Sequence, residues 1–362
     1  MNVAGLRFPL LNINIEKLQC NLKILSTALR GAGCSMMIVT KSSCADSKIV
    51  EMLLSSPFVD YLADSRIQNI QTYSGRGKPT VLLRLPQVCE IEDVVRYADI
   101  SMNSELDTLR LLNTEAARQD KTHKIVLMID LGDLREGIYF EEEKKIIKTI
   151  EEIKTMQHVE FYGVGTNLTC YGAIIPKKDN LSVLTDWAAR IFQKCGIKCA
   201  IVSGGNSSSY YLIEKGELPS GINNLRLGES FILGTEAAYK TRIKDTFDDA
   251  VTLDAQIVEL QTKRSIPVGE SGVDAFSEKP VYEDRGEILR AILAIGRQDV
   301  DPASLVPEDP CIDILGASSD HLIMDVSKSE QAYRIGSIVR FKLGYASFLR
   351  LFTSAYVNRC YE

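Results

Sequence analysis

The chain is poor in the residues that build metal centres and disulfide frameworks. Its three histidines, His123, His158 and His321, are far apart, which excludes a paired-histidine helix motif, and no metal is expected. Its nine cysteines are odd in number and contain no C-x-x-C; Cys195 and Cys199 are the pair nearest in sequence. At 362 residues that pattern suits neither a zinc site nor a disulfide scaffold, and reduced, mostly buried thiols in a cytoplasm fit better. No apolar run approaches the roughly 20 residues that span a bilayer. The first 11 residues lack the basic and apolar regions of a signal peptide. A net charge of -6 gives no electrostatic reason to bind nucleic acid.

What is present is ordinary globular material, 45% hydrophobic and 25% charged, arranged in two alternating periods. Ile15, Leu18, Leu22, Leu25 and Leu29 repeat at three and four residues and predict a helix, with Asn14 as its cap. Met36 to Thr40 then reads as a buried strand. A helix over 48–55 and a strand over 58–63 follow, then strands at 81–85 and 98–102. A helix carrying Leu106, Leu109 and Leu112, capped by Asn103 or Ser104, comes next. Lys124–Leu131 is the clearest strand and 141–156 a clear helix. Strands at 159–164, 199–202 and 225–233 complete a set of eight. Apolar strands alternating with helices imply a parallel sheet covered on both faces, so the fold class is α/β. Eight such units suit a (β/α)8 TIM-type barrel, with an open doubly wound sheet as the competing topology. Beyond about residue 240 the helical period fades. Short runs at 255–260, 291–295, 322–326 and 338–343, separated by Pro, Gly and Asp, predict an all-β C-terminal domain. The division expected is 1–238 and 239–362.

In a barrel the chemistry sits where strands end. Lys41 follows the first strand and is either a solvated strand end or an amine able to form an imine with a carbonyl cofactor. Gly204-Gly205-Asn206-Ser207-Ser208-Ser209 follows the seventh and is either a polar turn or a phosphate cradle; it lacks the Gly-Lys-Ser/Thr of a nucleotide loop. Arg226 inside an apolar strand needs partners, either as a structural ion pair or as part of a site.

These residues carry a resemblance. Val39-Thr40-Lys41, the run Asp130 to Gly137, Asn206-Ser207 and Arg226-Leu227-Gly228 resemble, in order, the cofactor-lysine, D-T-G-x-x-R-x-G, N-S and R-P-G segments of the alanine racemase family. Ala63-Asp64-Ser65-Arg66, Arg226 to Ser230, Ile295 to Asp299 and Gly316 to His321 resemble the branch that racemises ornithine. The resemblance implies pyridoxal 5'-phosphate as cofactor and an amino acid as substrate. It further implies a head-to-tail homodimer in which the C-terminal domain completes the partner's site. It makes Lys41 the Schiff-base lysine and proton carrier. Arg226 would face the pyridine nitrogen and Arg135 the phenolate. Asn206, Ser207, Gly228, Glu229 and Tyr345 would surround the phosphate, and Asn167 would stand where the family has a ring-facing histidine. Ser319 and Asp320 would meet the substrate, Asp320 pairing with a side-chain ammonium.

Two departures stand out. The family's phosphate-binding tyrosine after the lysine is replaced by Ser42-Ser43-Cys44-Ala45. The tyrosine that serves as the opposite-face base in the family is absent from Val268-Gly269-Glu270-Ser271-Gly272, leaving Glu270, Ser271 and His321 as candidates. The alternatives are an alanine or broad-specificity racemase, a decarboxylase or aldolase on the same scaffold, and a non-catalytic carrier of the cofactor.

Overall fold

The computed structural model describes residues 7–362. It divides into two units, Lys17–Phe247 and the segment ending at Glu16 together with Asp248–Glu362. The first described strand, β1 (Leu10–Ile13), belongs to the second unit. The first unit is the expected barrel. Its strands are β2 (Ser35–Val39), β3 (Tyr61–Asp64), β4 (Thr80–Leu82), β5 (Ile100–Asn103) and β6 (His123–Asp130), then β8 (Val159–Gly165), β9 (Ile201–Asn206) and β10 (Asn224–Leu227). A two-residue strand, β7 (Ile138–Tyr139), pairs beside β6. Each barrel strand lies parallel to its neighbours, β5 pairs with β6, and β10 pairs with both β9 and β2, so the ring closes.

The interior is a packed cluster of Met37, Val39, Ala63, Val81, Ile100, Met102, Val126, Met128 and Ile201. Their spacing of two along each strand is the inward-facing parity of a barrel filled with side chains. Helices pack their apolar stripes outside this ring. Ile15–Gly31 buries Leu18, Leu22, Leu25 and Leu29 as the period requires. Ser47–Ser55 is capped by Asp46, whose carboxylate accepts from the amides of Lys48 (3.1 Å) and Ile49 (3.2 Å). Lys178–Cys195, not singled out in the sequence, buries Leu181, Leu184, Trp187 and Ile191.

Three local expectations are corrected. The stretch 225–233 is not one strand: it breaks at Gly228, and Glu229–Leu233 is a helix. Both pieces are buried, and a fully buried run carries no period to tell them apart. The strand expected at 199–202 starts at Ile201 and runs on through both glycines to Asn206. Neither Asn103 nor Ser104 caps the helix Leu106–Arg118: Asn103 lies in β5 and donates to Ser101, and Glu105 occupies the cap position without a side-chain bond.

The second unit is an eight-stranded sheet built on β11 (Val251–Arg264), β12 (Glu287–Leu293), β13 (Leu305–Pro307), β14 (Asp313–Ala317), β15 (Leu322–Asp325), β16 (Ile338–Leu343) and β17 (Asn358–Tyr361). The order is β13-β16-β11-β12-β15-β14, and β1 pairs antiparallel with β11 and parallel with β17. Against the expected 1–238 and 239–362, residues 10–13 belong to this sheet and the first unit runs on to Phe247. The α-helix Tyr345–Thr353 buries Phe348, Leu351 and Phe352 here. All nine cysteines are free, and only Cys34 and Cys195 are buried, so the thiols are more exposed than composition suggested. Among the described residues no helix is long and apolar enough to cross a membrane, and no group of His, Cys, Asp or Glu is arranged to hold a metal.

Candidate active site

Because the eight barrel strands run parallel, their C-terminal ends open on one rim. Lys41 follows β2 directly, in a single turn of 3-10 helix, Lys41–Ser43. Its side chain is exposed, and its amine makes no hydrogen bond or ion pair with any described residue. The residue before it is held firmly. Thr40 donates to Asp64 Oδ2 at 2.6 Å and lies 3.1 Å from the Tyr73 hydroxyl. Asp64 is fully buried at the end of β3. Burial pushes its carboxyl above the usual range, opposed by bonds from Thr40, the Arg66 amide and Asn69.

Arg226 is the second feature of the rim. In β10 it lies in register with Met37 of β2, and residues in register on neighbouring strands share a face, so it points into the barrel. It is 2% exposed. Its guanidinium donates to Ser203 Oγ, to the Thr166 carbonyl and, at 2.6 Å, to Asn167 Oδ1. None of these is a carboxylate, so the structural ion pair allowed by the sequence is not what holds it. Burial pushes its pKa down to about 10, with the charge of Glu136 opposing the fall, and it stays a cation at neutral pH. A guanidinium has five N–H donors, and these bonds take three. Ser203 passes the chain on to Asn224 Oδ1 at 2.6 Å, and Asn224 donates to Ser35 Oγ at 3.0 Å.

Arg135 joins this set from the loop after β6. Its guanidinium forks onto both oxygens of Glu136, and Glu136 Oε1 also accepts from Asn167 Nδ2. Asn167 thereby bridges Glu136 and Arg226. Burial works to raise the Glu136 carboxyl, but the bonds from Arg135 and Asn167 and the Arg135 charge hold it below the ordinary carboxylate range. Asp133 fastens the two loops together, accepting from the amides of Thr169 and Tyr171, both at 3.0 Å.

The third feature is a cup lined with hydroxyls and amides. Asn206 Oδ1 accepts from the Ser208 amide at 2.8 Å, and Ser207 Oγ accepts from the amides of Gly228 (3.3 Å) and Ser230 (3.2 Å). Ser208 Oγ and Ser230 Oγ are buried with no hydrogen-bond partner. Gly205 turns the backbone here with φ +114°, and a Cβ on it would lie 2.7 Å from Ser209 Oγ. The Glu229 carboxylate is engaged elsewhere, accepting from Lys240 at 2.8 Å.

The remaining candidates belong to the second unit. Ser319, Asp320 and His321 form the turn between β14 and β15, and Ser319 Oγ donates to Asp320 Oδ2 at 2.8 Å. The segment 295–299 lies against this turn through Arg297 N to Ser318 O (2.8 Å) and Gln298 N to Ser319 O (3.1 Å). Only a glycine fits at 296, where a Cβ would come within 2.3 Å of Ser319 O. Asp320 and His321, with Gln298 and Asp299, line an open pocket of about 440 Å³. Glu270 and Ser271 are exposed in the connection between β11 and β12 and do not line that pocket. Tyr345 is half-buried at the start of its helix.

Sequence reasoning assigned no individual role to Glu136, Ser203, Thr166 or Ser230, and took Ser208 only as part of the possible phosphate cradle 204–209. The signal was parity: Ser203 and Arg226 are polar residues at inward positions of apolar strands, and a buried polar group must find another.

Chemically, the barrel rim combines an unengaged amine, a buried cation and a cup of N–H and O–H donors. The family model for the alanine racemase N-terminal domain matches residues 13–235. An ornithine racemase of Acetoanaerobium sticklandii is 52% identical, covering 97% of this chain and 99% of that protein. A lysine racemase of Thermotoga maritima is 34% identical, covering 98% and 99%. Among solved structures, an alanine racemase of Bartonella henselae with covalently bound pyridoxal phosphate superposes with a TM-score of 0.73 at 17% identity, covering 99% of this chain and all of that one. With the barrel, its rim residues and the family model in agreement over more than half its length, the chain belongs to the alanine racemase family.

Proposed function

We propose that the chain is a pyridoxal-phosphate-dependent racemase of basic amino acids, with ornithine the preferred substrate. The observation that carries this reading is Arg226, a buried charge without a contacting carboxylate, in the same barrel mouth as the unengaged amine of Lys41. Such a placement is costly unless a ligand uses it. The substrate preference draws on the two full-length relatives, named for ornithine and lysine.

The residues present fit the cofactor. The orphaned hydroxyls of Ser208 and Ser230 and the amide of Gly228 suit a phosphate. Lys41 Nζ would hold the aldehyde carbon, Arg226 would meet the ring nitrogen and Arg135 the phenolate. When bound, the cofactor supplies an electron sink that acidifies the Cα–H bond of an amino acid. Arg226 has no acceptor atom and stays protonated, so a ring nitrogen facing it remains unprotonated. Freed from the aldehyde carbon when the substrate amine takes its place, Lys41 Nζ would remove the Cα proton on one face in one direction and deliver one there in the other. We assign the opposite face to His321, the one of the three candidates that lines the pocket containing Asp320. Asp320 and Asp299 bring negative charge to that pocket, which suits a side-chain ammonium. We further propose a cytoplasmic homodimer as the working form, as the resemblance implies.

The test is chiral chromatography of the cofactor-loaded protein with L-ornithine, L-lysine, L-arginine, L-alanine and L-serine. Ornithine is expected to dominate, and Lys41→Ala to lower its turnover by at least about a thousand-fold. Alanine as the dominant product would discard the substrate assignment. No conversion of any of them would discard the reaction.

A further inference from the structure

We propose that Glu136 is a positioning residue that binds the two arginines of the site into one donor set. The proposal rests on the functional reading above. Glu136 touches neither Lys41 nor the phosphate cup, yet it is the carboxylate through which Arg135 and Arg226 are joined: it takes the Arg135 fork on both oxygens and reaches Arg226 through Asn167. Each link is directional. Asn167 donates its Nδ2 to Glu136, which fixes the amide so that its Oδ1 faces Arg226. With that amide reversed, the buried guanidinium would meet an N–H donor instead of an acceptor. Glu136 thus sets the orientation of Asn167, the direction of the Arg226 donors and the side on which Arg135 lies.

The charge matters as well as the geometry. The charged and titratable groups around Arg226 are Glu136, Arg135 and Cys170, and Asp133 lies near Arg135. Arg135 and Arg226 repel one another, and Glu136 opposes that repulsion from between them. Removing its charge while keeping its shape should displace both donors. A cofactor nitrogen facing Arg226 and an oxygen facing Arg135 would then titrate differently. A role in packing alone predicts no such change, because glutamine has the same shape.

The experiment compares wild type, Glu136→Gln and Glu136→Ala, all loaded with pyridoxal phosphate. Three quantities are read: the pH titration of the cofactor's absorbance, kcat and KM for ornithine across the neutral to alkaline range, and the melting temperature. Both variants are expected to move the spectral midpoint by at least about 0.5 pH unit in the same direction. They are also expected to lower kcat at least about ten-fold while KM changes less than about three-fold. A Gln variant with the wild-type titration and wild-type kcat overturns the proposal. So does a kcat loss that follows only the melting temperature, with an unmoved spectrum. A wild type that shows no cofactor absorbance and no racemisation overturns the functional reading and the proposal with it. The two failures are distinguished by which protein is silent.

Discussion

Asp320 and Arg226 illustrate opposite routes from residue to role. Arg226 stood out in the sequence because an arginine inside an apolar strand has to be partnered, and the structure supplies three neutral acceptors. Asp320 is exposed in a turn and carries no such signal by composition. Its place in the pocket depends on Gly296 letting the segment 295–299 close onto residues 318–321. If Asp320 meets a substrate ammonium, Asp320→Ala should raise KM for ornithine at least about thirty-fold and leave KM for alanine within about three-fold. Steady-state kinetics on both substrates decides it, and equal changes would remove Asp320 from the substrate's side chain. Glu136 was hidden for a different reason. A glutamate beside an arginine in a loop reads as solvated charge, and only Asn167, 31 residues away, gives it a task.

At the scale of elements, existence was legible and boundaries were not. All eight barrel strands announced themselves as apolar runs, because a parallel strand covered on both faces has little choice of composition. Their ends were lost where that logic lapses. The strand β9 continues through Gly204 and Gly205, residues that signal a turn, because Ser203 inside it is satisfied by Asn224 and Arg226. Past Gly228 the chain stays apolar as a helix, and burial erased the periodic signal. The positive φ at Gly205 also makes a prediction. Gly205→Ala forces a side chain into φ +114° and against Ser209 Oγ, whose bond to the Gly204 carbonyl is 2.8 Å long. The expected cost is about 1–3 kcal/mol, together with weaker retention of the cofactor. Denaturant titration of the unloaded protein reads the first and equilibrium dialysis the second. An unchanged affinity would detach this glycine from the phosphate.

For the whole molecule, the sequence conveyed two units in the right order but not their connection. Nothing in the composition of residues 10–13 says that their hydrogen bonds go to β11 and β17, since strand pairing at long range leaves no local trace. The proposed homodimer can be tested by mixing. At an ornithine concentration near the wild-type KM, where Lys41→Ala and Asp320→Ala subunits are each slow on their own, the two should recover up to about a quarter of wild-type activity when unfolded and refolded together, if a site draws those residues from different subunits. No recovery beyond the sum of the separate variants would place both residues in one chain's site.

The interposed strand has a consequence for how the protein is made. During synthesis Leu10–Ile13 is made before the barrel, yet its partners Val251–Arg264 and Asn358–Tyr361 are made only after the entire barrel has been translated. Through that interval the nascent chain carries four residues of unpaired strand, an edge open to wrong partners. Synthesis of Asn358–Tyr361, rather than completion of the barrel, is then the event that lets this sheet close around β1.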